Sequence, residues 1–259
     1  MGLDPDVIPS RISRQAFSHE VIDVLEPFAT SVISFHFGLP KRDLLYRLKS
    51  WRPTILSTAT TVDEALWLQE NGADAIIAQG IEAGGHRGMF LSQDLMSQSN
   101  TKALVKQIKE SINLPVIAAG GISSSNEVVE HLENGAQAIQ IGTSYLLSTE
   151  AKTSIFHRQA IQSNQPPKTA LTNLFSGRPA RAIVNRVIKE LGPLSKYAPA
   201  YPHAATTMSY LRKTAEGNGS SDFTPLWCGQ NTRGCDSISA YDLTLRLARK
   251  LESGDFQSI

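Results

Sequence analysis

The stretch EALWLQENGADAI at 64–76 recurs without gaps as EVVEHLENGAQAI at 127–139, a displacement of 63 residues. Each copy opens on a capping-box pattern, Thr61 to Glu64 and Ser124 to Glu127, in which side chains satisfy the first amides of a helix. Each helix then stops at a glycine, Gly72 or Gly135, as a left-handed C-cap requires. An AxAI run follows at once, and another apolar run precedes each helix, PTILSTA at 53–59 and LPVIAAG at 114–120. The repeating unit is therefore strand, helix, strand. A displacement of that size covers two strand–helix units of roughly 30 residues each, the length of a parallel crossover.

Working outward, the pattern predicts strands at 31–36, 53–58, 75–79, 115–119 and 137–142, with helices at 14–27, 40–50, 62–71, 101–112 and 124–134. This is an α/β chain of the TIM-type (β/α) barrel kind. Five strands are legible where a closed barrel has eight, so the expected barrel is incomplete. After residue 143 the texture changes to a helix near 143–162, a Pro166-Pro167 break, an irregular stretch, a helix near 203–216 and an amphipathic helix at 239–253. The expected organisation is a partial barrel at 1–148, an irregular helical subdomain at 149–236 and a C-terminal helix at 237–259 packing back on the barrel.

Composition narrows the function. With a net charge of +1 and 19% charged residues, no basic field favours nucleic acid. The N-terminus carries no signal pattern and no run reaches the 18 or so apolar residues of a membrane span, so a cytoplasmic protein with no membrane partner is expected. Cys228 and Cys235 fit no paired zinc spacing and read as small buried or surface residues. No HExxH, P-loop or strand-linked GxGxxG is present, and no metal is expected.

Chemistry gathers at AQGIEAGGHRG, 78–88, where an apolar strand runs into a loop with four glycines around His86. Glycines clear side-chain bulk, and a histidine titrates near neutrality. That combination suits a catalytic base beside a ligand. Gly120-Gly121 and Gly142-Thr143-Ser144 also follow strands and open helices, a pattern that holds phosphate on backbone amides. His36, at a strand end in SFHFG, is a lesser candidate, and His131 reads as solvated in mid-helix. Asp74 and Glu82 read as a strand-entry residue and a loop carboxylate. Arg178 and Arg181 could meet an anionic substrate but read first as surface or structural contacts, and Trp227 could line the site's mouth but reads first as core or interface packing.

Taken in order, AQGIEAGGHRG, LPVIAAGGI at 114–122, IQIGTSYL at 139–146 and TNLFSGRPAR at 172–181 resemble the nitronate monooxygenases, formerly called 2-nitropropane dioxygenases. The resemblance implies a TIM barrel with a smaller helical domain, bound FMN, and oxidation of alkyl nitronates such as propionate 3-nitronate by O2 to a carbonyl compound and nitrite. It places Gln79, Gly84, Gly121, Gln140, Ile141, Gly142 and Thr143 against FMN, and His86 as the active-site histidine. Family members begin with about three further strands, so the resemblance implies an N-terminally incomplete barrel, with a separate N-terminal polypeptide or a homo-oligomer as expected partners. The similar loop of FMN-dependent enoyl-acyl-carrier-protein reductases, or an inactive fragment, is the alternative.

Overall fold

The computed structural model describes residues 16–163 and 165–252. Residues 1–15, including the expected start of a helix at 14, and residues 253–259 of the expected last segment lie outside the described residues. In chain order the elements are α1 (His19–Leu25), β1 (Val32–Phe35), α2 (Arg42–Leu48), β2 (Thr54–Ala59), α3 (Val62–Glu70) and β3 (Ala75–Gln79). There follow β4 (Gly85–His86), α4 (Thr101–Ser111), β5 (Val116–Ala119), α5 (Ser125–Glu133), β6 (Ala138–Gln140), α6 (Ile155–Ile161) and β7 (Thr169–Thr172). The last elements among the described residues are β8 (Ala180–Ile183), α7 (Arg186–Leu191), α8 (Ala204–Gly217) and α9 (Ala240–Glu252).

Contacts divide the chain into two compact units. The first holds residues 16–82, 88–141 and 247–252. Its sheet is parallel throughout, in the order β1-β2-β3-β5-β6, with α2, α3, α4 and α5 on the crossovers. This is a five-strand arc of a (β/α) barrel. β3 is central and every residue in it is buried, as expected for a parallel strand covered on both faces. Ile76, Ala78, Val116 and Ala118 pack against Leu68 and Leu104 of the neighbouring helices. A second cluster joins Ile22, Leu44, Leu45 and Leu48 to Ile55.

The repeat is borne out at its ends. Thr61 and Ser124 each accept a hydrogen bond from the amide three residues on, and Gly72 and Gly135 take φ of +99° and +103°. One detail differs. Glu64 and Glu127 reach back one residue further than a standard box, to the amides of Thr60 and Ser123 at 2.7 and 2.8 Å. His131, expected in solvent, is buried on α5, where burial pushes its imidazole below the usual value. The face of α5 turned toward the core is wider than the leucine and valine spacing suggests.

The second unit takes in Ala83–Arg87 and Gly142–Arg246. Besides the expected helices it contains an antiparallel sheet, β4-β8-β7, which the sequence did not predict. The helix expected over 143–162 is also two pieces: a tight 3-10 turn at Thr143–Leu147 and α6. Between them the Arg158 guanidinium collects the carbonyls of Leu147, Ser148, Ala151 and Thr153 at 2.7–3.3 Å. Carbonyls held by a side chain in this way are taken out of the helical ladder. Leu174, Phe175, Ala182, Val187 and Ile188 form one core of this unit, and Leu147, Ile161, Ile183, Leu226 and Cys228 another.

Candidate active site

In the first unit the strand register lines up three strand ends. Gln79 pairs with Ala119, and Ala119 with Gln140, so the C-terminal ends of β3, β5 and β6 stand in a row. Gln79 is buried and its Oε1 accepts the Gly88 amide at 2.8 Å. Gly121 follows β5 at φ +73°, where a side chain is strained. Gln140 is exposed and Ile141 half-buried.

The two turns are less helix-like than expected. The Ser123 amide and hydroxyl are held by Glu127 at 2.8 and 3.2 Å, so α5 offers fewer open amides than its serines suggest. Past β6, Gly142 leads into the short 3-10 turn instead of an α-helix. A Cβ built on Gly142 meets nothing within 4 Å, so this turn is open and uncovered. Thr143 looks inward within the second unit: its Oγ1 accepts the Gly229 amide at 2.9 Å and its carbonyl the Cys235 thiol at 3.3 Å. A side-chain-free turn at a strand's C-terminal end is the kind of turn that holds a phosphate ester. Of the nearby carboxylates, Glu82 is held by the amide and hydroxyl of Thr101, both at 2.9 Å, and Glu127 by Ser123.

His86 lies in the second unit. β4 pairs with β8, setting His86 opposite Ala180 and Gly85 opposite Arg181, and the Arg87 amide donates to the Pro179 carbonyl at 2.9 Å. Gly84 has a steric reason to be glycine: a Cβ there would stand 2.5 Å from the Gly229 nitrogen and 2.6 Å from the Cys228 carbonyl carbon. The imidazole is half-buried, tilted against Trp227 at 5.3 Å and edge-on to Tyr201 at 6.0 Å. Trp227 in turn meets Phe175 at 5.5 Å, and the Arg178 guanidinium lies 5.4 Å over Tyr201.

The His86 Nε2 lies 2.7 Å from the Ser176 Oγ. Ser176 also accepts the Arg178 amide and donates to the Arg178 carbonyl, each at 3.3 Å. A hydroxyl has one proton and two acceptor positions. The Ser176 hydroxyl accepts from the ring when Nε2 carries the proton and donates to it when Nδ1 does. Neither Ser176 nor Tyr201 was singled out from sequence. Ser176 lies in the SGRPAR motif, whereas Tyr201 carries no local signal.

His36 is exposed at the end of β1, with Nδ1 3.1 Å from the Thr58 hydroxyl. Asp74 accepts the Ile55 amide at 2.7 Å, Arg181 is buried and donates to Thr169, and both cysteines are free thiols. Burial pushes Cys228 up to about 12 and Cys235 to about 11, which keeps them as unreactive packing groups. Among the described residues no helix is long and apolar enough to cross a membrane and no cluster of His, Cys, Asp or Glu has the makings of a metal site.

A parallel arc of strands with glycine-turned C-terminal ends defines the class, a protein of the (β/α)-barrel type. The chain belongs to the nitronate monooxygenase family, whose sequence profile matches residues 10–249. It is 36% identical to a probable nitronate monooxygenase of Staphylococcus saprophyticus over 86% of this chain and 64% of that protein. A Staphylococcus haemolyticus counterpart is 32% identical over 98% of this chain and 71% of its own. The chain thus spans about two thirds of the length of such relatives. The crystal structure of nitroalkane oxidase from Streptomyces ansochromogenes superposes with a TM-score of 0.82 at 39% identity, covering 90% of this chain and 67% of that one. FabK from Thermotoga maritima, at 23% identity and TM-score 0.68, shares the fold.

Proposed function

We propose that the protein oxidises alkyl nitronates, of the propionate 3-nitronate type, with FMN and O2, releasing a carbonyl compound and nitrite. The observation that carries this reading is the His86–Ser176 pair at 2.7 Å, set among aromatic rings on a glycine-flanked strand. Family membership and the likeness to a nitroalkane oxidase support it.

In this reading Gln79, Gly121, Gln140, Ile141, Gly142 and Thr143 hold FMN, with Gly84 clearing the backbone beside His86. FMN, when bound, supplies the electron transfer between nitronate and oxygen, and the protein supplies position and field. His86 takes the proton from a neutral nitroalkane. The resulting imidazolium keeps its Nε2 proton on Ser176 and holds a nitronate anion by charge. Tyr201 and Trp227 limit the water around that charge, which strengthens its attraction for an anion.

The test is nitrite release from a nitronate in air by FMN-loaded protein. Replacing His86 with Asn should lower turnover of a neutral nitroalkane about 100-fold or more, the usual scale for a general base, with flavin content unchanged. Ser176→Ala should cost less and move the acidic limb of the pH profile, because the imidazolium loses its acceptor. Enoyl-thioester-dependent NADH oxidation without nitrite release would overturn the assignment in favour of a reductase.

A further inference from the structure

His86 sits on a five-residue segment, Ala83–Arg87, that belongs to the second unit, while the chain on both sides belongs to the first. The ends of this segment are each fastened by a carboxylate. At the exit, Glu82 Oε2 accepts the amide and hydroxyl of Thr101, both at 2.9 Å. At the return, Glu64 Oε1 accepts the amides of Phe90 and Leu91 at 2.6 and 3.3 Å.

Glu64 is only 1% exposed. Its other oxygen accepts the amide and hydroxyl of Thr60 at 2.7 and 2.8 Å. That hydroxyl is met in turn by the Gln98 side-chain amide at 3.0 Å. Capping α3 needs only the Thr60 side of this network, and Glu127 serves the same end on α5 through its Oε2. The bonds to Phe90 and Leu91 run to a loop far along the chain and do nothing for the helix. Burying a carboxylate is costly unless donors satisfy it, and here four donors from two separate loops do so. Next to the return point, the Gly88 amide is held by Gln79.

We infer that Glu64 is a positioning residue for the loop that carries His86: it fixes the return of that segment, as Glu82 fixes its exit. The catalytic part of this inference rests on the proposed role of His86. Glu64 itself touches no substrate. Its charge matters because an amide in its place would turn an N–H donor toward the donors of Thr60 or of Phe90 and Leu91.

The experiment combines hydrogen exchange with a double-mutant cycle on the full chain. In Glu64→Gln, amides at 83–91 should exchange at least tenfold faster, while those of α4 and α5 keep their rates. Nitronate turnover should fall tenfold or more in FMN-loaded protein. In a His86→Asn background the same change should alter turnover less than twofold, since a positioning effect has nothing left to act through. Unchanged exchange at 83–91, or an equal loss with and without His86, overturns the inference. A His86→Asn protein that retains full turnover while Glu64→Gln still loosens 83–91 removes the proposed catalytic role and leaves the clamp. Should Glu64→Gln fail to fold, Glu64→Asp keeps the charge but is one methylene too short to hold both loops. It should loosen 83–91 with α3 intact, and no loosening there would again overturn the proposal.

Discussion

Gly84 and Gly142 look alike in sequence and differ in what they face. A Cβ on Gly84 would collide with the backbone of Cys228 and Gly229 at 2.5–2.6 Å, and a paired backbone has little room to give. Gly84→Ala should destabilise the protein by about 1–3 kcal/mol, the usual cost of overpacking, read as a lowered thermal midpoint. Gly142 has φ −114° and ψ −66°, a conformation open to other residues, and empty space where a Cβ would stand. Gly142→Ala should therefore leave stability within about 0.5 kcal/mol. If FMN approaches this turn as proposed, flavin titration should show weaker binding by the same variant. Unchanged affinity would remove Gly142 from the proposed flavin contacts.

At the scale of elements, what the sequence revealed and what it hid follow from the range of the interactions. The arc of β1, β2, β3, β5 and β6 was legible because its signals are local: apolar runs, capping residues and terminal glycines, written twice. Ser124 shows how local they are. Its hydroxyl accepts the Glu127 amide at 3.3 Å and lies 3.0 Å from the Glu127 carboxylate. Ser124→Ala should cost about 1 kcal/mol, as for other caps, measured by urea unfolding, and Ser124→Thr, which keeps the hydroxyl that donates to Glu127, should recover most of it. The β4-β8-β7 sheet was not legible. Its strands have two to four residues, too few for alternation to show, and β4 finds its partner far along the chain. The candidate site divides in the same way. His86 stood out by its glycine setting, whereas Ser176, 90 residues away, becomes its partner only through the fold. Glu64 was read correctly as a cap, but nothing in the sequence marks its second oxygen as an anchor for Phe90 and Leu91.

For the whole molecule, the dependence of stability on pH is set in part by two imidazoles, one in each unit. His131 on α5 is buried, and its Nδ1 has no partner among the described residues. Burial lowers its pKa from 6.5, against the pull of Glu130, Glu82 and Glu127 and with some help from Lys102. His157 on α6 is lowered for the same reason, opposed by a hydrogen bond with the Trp227 backbone, and its Nε2 is likewise buried without a partner. The unfolded chain takes up protons as pH falls through 6.5, whereas the folded chain takes them up only at lower pH. Stability from keeping these rings neutral is therefore complete above the ordinary imidazole value and is lost as pH falls below it, levelling off once the folded rings also protonate. Each ring contributes a slope of at most about 1.4 kcal/mol per pH unit. Urea midpoints should therefore drop between pH 7.5 and pH 5.5. The His131→Gln and His157→Gln double variant, which has no ring to protonate, should lose clearly less over that interval. Equal losses in the two proteins would show that other groups carry the acid sensitivity, and that burial of these imidazoles costs the fold little.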